Sequence, residues 1–319
     1  MFIVGIDVAK RSHEVTVITS EGQVVQKAFS IRNNCMGYNL MMEKLRKLTN
    51  VKSQIVFAVE STAHYWLALY TRLRKDGYKA IVLNPIQTSA MREMSIRKTK
   101  TDSKDSFLIA ELIRFGRYAQ SNVAQDKLLA LKELCRNRYY LVDMASDLKR
   151  KAIALIDRIF PEYETQFETI FCKSSIAVLK KYPTPKKLAH ANLSKLTEIL
   201  LDSSNGRFGE WKAQELKSLA RDSFGVEDCE DIYSMLLLTM LDEIQSLTEK
   251  ADELEKRISS LLKEFDSTIT SVPGIGPILG ACILSEIGDV TRFRSADKLA
   301  AYIGVDPSVS QSGEYISDH

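Results

Sequence analysis

An α/β domain with a mixed sheet, then a long helical coiled coil and a small, mainly α C-terminal domain, is the architecture this sequence predicts. Three observations predict it. The first 85 or so residues alternate short apolar runs with helical spacing in the order strand, strand, strand, helix, strand, helix, strand. Two later stretches carry apolar residues at alternating three- and four-residue steps, the spacing of long packed helices. The chain then reaches a Pro-Gly-Ile-Gly turn followed by another apolar run.

Residues 2–8 form a short apolar run, 14–19 alternate as Glu-Val-Thr-Val-Ile-Thr, and Glu21-Gly22-Gln23 turns the chain into Val24-Val25. This predicts a three-stranded meander. A helix near 37–48 follows, then a buried strand at Ile55–Val59, a helix over about 64–75, and a strand at Ala80–Leu83 closed by Asn84-Pro85. One more helix is expected from about residue 101. That order is the one found in ribonuclease-H-like folds, in which the first strand is central and the end of the fourth lies beside it. Asp7 and Glu60 are then expected to face each other.

From 126 to 160, Leu141, Ala145, Leu148, Ala152, Leu155 and Ile159 mark one seam; Leu237, Met240, Ile244, Leu247, Ala251, Leu254, Ile258 and Leu261 mark a second. The two seams can pack on each other or on a second subunit. Between them, residues 161–229 carry Pro161, Pro183 and Pro185 and read as a helical insert. The predicted division is 1–125, 126–265 with its insert at 161–229, and 266–319. In the last segment, Pro273-Gly274-Ile275-Gly276 leading into a helix is the pattern of a helix-hairpin-helix-like element, whose small residues let backbone N–H groups approach a phosphate.

Charge decides little at the level of the whole chain. Its 44 basic and 41 acidic side chains leave a formal charge of only +3, so a nucleic-acid surface has to be local. The five cysteines are scattered without a Cys-x-x-Cys pair, which argues against structural zinc and against a disulfide framework. No stretch approaches the length of a membrane span and the N-terminal run is too short for a signal peptide, so a cytoplasmic setting is expected.

The chemistry lies in the acids. Asp7 sits inside an otherwise apolar strand, where an ionisable group without a partner is costly. Asp102 and Asp105, three apart, project from one face of a helix and repel unless a cation intervenes. With Glu60 they offer hard oxygens alone, a donor set for magnesium or manganese. The plain alternative for Asp102 and Asp105 is a solvated helix start. Arg97, Lys98, Lys100 and Lys104 form a basic run that is either a solvated loop or a clamp on phosphates. Arg136, Arg138, Lys149, Arg150, Lys151 and Arg158, with Tyr139 and Tyr140, can grip a nucleic-acid backbone or simply face water. Tyr65 and Trp66, after His64, either line the site or belong to the core. Ser312, in a polar stretch, reads from its surroundings as loop filler.

Taken in order, Gly5–Lys10, Val59–Thr62, Lys100–Asp105, Pro273–Gly276 and Gly304–Gly313 resemble the transposases of insertion-sequence family 110. The resemblance implies a RuvC-like domain whose metal ligands are Asp7, Glu60, Asp102 and Asp105. It also implies a coiled coil and a C-terminal transposase domain in which Ser312 forms a phosphoserine link to DNA, with Ser310 as the fallback. The implied partners are donor and target DNA, a bridge RNA that pairs with both, and further copies of the chain. The family usually has Gly where this chain has Ala63, and it continues past the Ser-Gly motif with basic helices, so an incomplete C-terminal domain is expected. Three other readings compete. A RuvC or RNase-H-type nuclease would use the same acids with water; a sugar-kinase or actin-like ATPase would need a second phosphate loop, which is not found; a non-catalytic coiled-coil protein would only bind nucleic acid.

Overall fold

The structure, a computed structural model, describes residues 1–93, 102–116, 118, 126–226, 228–305, 309–312 and 315–318, with backbone alone for 102, 103, 126 and the last two stretches. The chain divides into two compact units, Met1–Val123 and Ala124–His319.

In the first unit, β1 (Phe2–Val8), β2 (Ser12–Thr19) and β3 (Val24–Arg32) form an antiparallel meander. Helix α1 (Cys35–Arg46) leads to β4 (Ile55–Glu60), and α2 (Tyr65–Lys75) leads to β5 (Lys79–Leu83). β4 and β5 join parallel, and the sheet order is β3-β2-β1-β4-β5. As the sequence predicts, β1 is central with β4 beside it.

Both faces of a central strand must be covered, which explains why β1 and β4 are apolar almost throughout. On one face Val4, Ile6, Phe57 and Val59 pack against Met41 and Leu45 of α1 and Leu69 and Leu73 of α2. Tyr65 and Trp66 pack against this cluster, so they belong to the core rather than to a site on the other face. On that other face, Ile3, Val56, Ala58 and Ile81 meet Ile109 and Ile113 of a helix, α4 (Asp102–Phe115). Gly5 allows this contact: a Cβ there would collide with the Ser106 carbonyl oxygen and stand 2.6 Å from the Ala110 nitrogen.

One element departs from expectation. Asn84-Pro85 does not merely close β5; it opens a further helix, α3 (Pro85–Glu93). The Asn84 Oδ1 accepts the Ile86 N–H at 2.9 Å and Pro85 takes the first helical position, where its missing N–H costs nothing.

In the second unit the two seams become α5 (Asp126–Ile159) and α10 (Glu230–Leu262), which lie along each other within one chain. Lys127 pairs with Glu264 at 2.6 Å and Arg138 with Glu255 at 3.0 Å, so the two helices run in opposite directions. The insert carries α6 (Lys173–Lys181), α7 (Pro185–Ala189), α8 (Leu193–Ser204) and α9 (Glu210–Arg221). Its core joins Phe160, Tyr163, Leu196 and Leu216 to Leu237 and Leu241 of α10. At the other end of the pair, α11 (Pro277–Ile287) buries Ala281 against Leu131, Ile258 and Leu262. Gly274 takes a φ of +88° in the turn before it, and what precedes that turn is a single 3-10 turn, Ile269–Ser271. α12 (Ala296–Ile303) and the antiparallel pair of β6 (Val309–Ser312) and β7 (Tyr315–Asp318) follow.

Candidate functional site

Strand register brings two of the four predicted acids level. The last parallel pair of β1 and β4 is Ile6 with Val59, and the next step on each strand is Asp7 and Glu60. Since side chains alternate along a strand, Asp7 shares the face of Ile3 and Gly5, and Glu60 that of Val56 and Ala58. That is the face covered by α4. Asp105, on α4, is buried at 5% exposure and immediately precedes Ser106, whose backbone rides on Gly5. Ser106 also shares a 2.7 Å hydroxyl–hydroxyl hydrogen bond with Thr16, the residue across from Gly5 on β2. Asp102 opens α4 one turn earlier, with only its backbone described.

The unforeseen helix α3 supplies partners for Glu60 and Asp105. Its Thr88 hydroxyl donates to Glu60 Oε2 at 2.7 Å, and Thr62 donates to Oε1 at 2.9 Å. One turn on, Arg92 donates to Asp105 Oδ1 at 2.8 Å, with the two side chains 26% and 7% exposed. Thr88 and Arg92 are four apart and so share a helix face. A guanidinium thus meets part of the charge of the buried Asp105, and its Nε is buried without a partner among the described residues. Sequence reasoning missed both residues, though Asn84-Pro85 was a legible helix start.

It also missed Glu14, which stands directly across from Asp7 on β2 and is half-buried. Two like charges on one rung repel unless a cation or proton lies between them. The donor set of Asp7, Glu60 and Asp105 is all hard oxygen and fits a divalent cation of the magnesium type. Among the described residues no group of three acids, cysteines or histidines is close enough to hold an ion. Arg92 answers Asp105, and the two threonine hydroxyls answer Glu60.

Ala63 follows this site with a φ of +49°, a left-handed conformation that favours glycine. It is also the position where the resembling family has Gly.

Other predicted contacts fare differently. Arg97, Lys98 and Lys100 lie outside the described residues, while Lys104 is exposed on α4. Arg136 bonds Glu286 of α11 at 2.8 and 3.2 Å, and Lys132 meets the same carboxylate at 2.7 Å. Burial opposes the ionised form of Glu286, but these two cations outweigh it and hold its pKa below the usual range. Arg138 pairs with Glu255, Arg150 with Asp147, and Lys149 lies 5.6 Å from the Phe171 ring. Arg158 bonds a carbonyl of its own helix, and Lys151 is exposed. Gly274 and Gly276 have open space where a Cβ would stand. Ser310 and Ser312 stand two positions apart on β6, across from Ser317 and Tyr315.

Level acids at the ends of two central parallel strands, with a third buried on the covering helix, supply the kind of hard-oxygen donors that metal-dependent phosphoryl transfer uses. Comparison with known proteins narrows the class. A family model described as a transposase, that of the DEDD type, matches residues 4–161, and one described as the transposase IS116/IS110/IS902 family matches residues 266–319. A protein of Streptomyces coelicolor named "Mini-circle putative transposase for IS117" is 27% identical, covering 97% of this chain and 77% of its own length. The IS116 uncharacterized 44.8 kDa protein of Streptomyces clavuligerus is 24% identical over 97% of this chain and 77% of its own. The pilin gene-inverting protein of Moraxella lacunata is 23% identical, over 97% and 73%. The chain belongs to the IS110 family of transposases, and it is a DNA-cleaving and rejoining enzyme. No helix among the described residues is long and apolar enough to cross a membrane.

Proposed function

We propose that this chain is an insertion-sequence recombinase in which a RuvC-like carboxylate site and a serine nucleophile act together on DNA. The observation that carries the reading is the register that sets Asp7 level with Glu60 on the face where Asp105 is buried. Asp7, Glu60, Asp102 and Asp105 would hold magnesium or manganese, which when bound supplies positive charge against the phosphate under attack. Arg92 and the Thr62 and Thr88 hydroxyls position the acids, and Arg92 has to yield part of Asp105 to the ion.

Ser312, or Ser310 in its place, attacks the DNA phosphorus: a phosphorus–oxygen bond to serine forms, one to the departing strand end breaks, and the seryl proton leaves with that end. The phosphoserine conserves a reactive ester for rejoining, which a water nucleophile would discard. The coiled-coil pairing of α5 and α10, a helical insert and a C-terminal transposase domain complete a cytoplasmic homo-oligomer. In it a bridge RNA guides donor and target DNA, with Lys104 and the basic run before it near the phosphates.

The test uses the chain co-expressed with its element's RNA, labelled donor and target DNA, and magnesium. Asp7→Asn is expected to abolish cleavage, lowering the rate at least a thousandfold or so. Ser312→Ala is expected to abolish the covalent protein–DNA adduct and cleavage together. Cleavage that persists in Ser312→Ala and Ser310→Ala alike would assign the chemistry to water instead.

A further inference from the structure

His13 lies on the sheet face opposite Asp7, packed with the α1 and α2 side, and is only 2% exposed. Its Nδ1 accepts the Ala9 N–H at 3.3 Å, so in the neutral ring Nε2 carries the proton. Burial, the dominant influence, pushes the imidazole pKa below its usual 6.5, against the Asn33 side chain and the Ser12 backbone, whose hydrogen bonding favours the charged ring. Asn33 stands close enough to bear on the ring, yet Nε2 is buried and makes no well-formed hydrogen bond among the described residues. A buried donor left unanswered costs about 1–3 kcal/mol, and native structures seldom keep one without a reason.

His13 lines a cavity of about 300 Å³ whose walls include Ile31, Tyr38 and Leu69. Its rim carries two exposed cations, Arg32 and Arg72, and the first turn of α1. Arg72 is partly engaged: its Nε meets Asp76 at 3.1 Å and its guanidinium lies 5.2 Å from the Tyr38 ring. Asn34 caps α1 by accepting the Gly37 N–H at 2.9 Å, and Asn34 and Cys35 at that positive helix end line the cavity. The features sort by depth, with apolar walls and one donor inside and positive charge outside. A purely apolar ligand would leave Nε2 unanswered, and a bare anion would leave the walls unfilled. A flat heteroaromatic ring with acceptor atoms and a phosphate attached answers both.

We propose that this cavity takes one unpaired nucleotide of a nucleic-acid strand, its base accepting from His13 Nε2 and its phosphate held by Arg32 and the first turn of α1. The inference rests on the recombinase reading only in taking nucleic acid as the partner; it assigns a strand-binding site apart from the carboxylates. It accounts for a buried histidine on a face that otherwise needs none.

The test compares wild type, His13→Phe and Arg32→Ala by fluorescence anisotropy with short labelled single-stranded RNA, single-stranded DNA and the matching duplex. Single strands are expected to bind better than duplex, and each variant to weaken them about tenfold. The arm that weakens identifies the strand as RNA or DNA. Photo-crosslinking with a thio-substituted base is expected to attach to peptides containing His13 or Tyr38. Wild-type affinity in both variants, or crosslinks confined to other peptides, would overturn the proposal. If His13→Phe fails to fold by circular dichroism, the exposed Arg32→Ala and the crosslink decide alone. Failure here leaves DNA cleavage and its loss in Asp7→Asn untouched, whereas cleavage surviving Asp7→Asn would sink the catalytic reading and leave this site standing.

Discussion

The two faces of the five-stranded sheet are built on different terms. The α1/α2 face is closed by large side chains, among them Met41, Leu45, Leu69 and Leu73, and its stability comes from apolar area. The α4 face is closed partly by backbone: Gly5 lets Ser106 and Ala110 come down onto β1, and Thr16, Asp7, Glu60 and Asp105 line the same side. Close approach replaces bulk there. The difference teaches that the carboxylate face was shaped to fix positions rather than to maximise burial, since a helix seated on a strand's backbone has little freedom to slide.

The strongest way to break the contrast is Gly5→Val. The added side chain runs into α4 backbone, which cannot fold aside as a flexible side chain can. A loss of more than about 3 kcal/mol is expected, read as a large drop in the urea midpoint of the first unit. Arg92→Ala comes next. It leaves buried Asp105 without its cation and is expected to cost about 3 kcal/mol in metal-free buffer. Magnesium should recover part of that loss, so the thermal shift on adding it should exceed that of wild type; an equal shift would mean that Asp105 takes no part in ion binding.

Acid should act on the opposite face. Because the folded pKa of His13 lies below 6.5, the unfolded chain binds the proton first, and stability is fully present above pH 6.5 and falls as pH drops toward the folded value. Urea midpoints at pH 7.5 and pH 5.5 should differ in wild type and converge in His13→Phe. The smallest effect is expected of Ala63→Gly. Relief of the left-handed strain outweighs the added unfolded-state entropy by at most about 1 kcal/mol, which differential scanning calorimetry can detect as a slightly raised Tm.

Much of the scaffold could be read from periodicity. The strands of the sheet, the helices beside it and both long helices lie close to where alternation and heptad spacing put them. The i, i+3 relation of Asp102 and Asp105 was equally legible, because it is local. The partners were not. Arg92 finds Asp105 and Thr88 finds Glu60 only because α3 follows β5, and Asn84-Pro85 reads as a strand stop although the same dipeptide also starts helices. The pairing of Asp7 with Glu14 depends on hairpin register, and the cavity at His13 on where two helices happen to leave space. Local spacing carries no trace of either.

The antiparallel pair of α5 and α10 has a consequence for reach. Helices of 34 and 33 residues extend about 50 Å at 1.5 Å per residue. The cluster around Tyr163 occupies one extremity and the contacts of Ala281 the other. A duplex lying alongside would advance by roughly fifteen base pairs over that interval. If the insert and α11 both meet DNA, they would meet separate stretches of its sequence, set apart by the length of the helix pair.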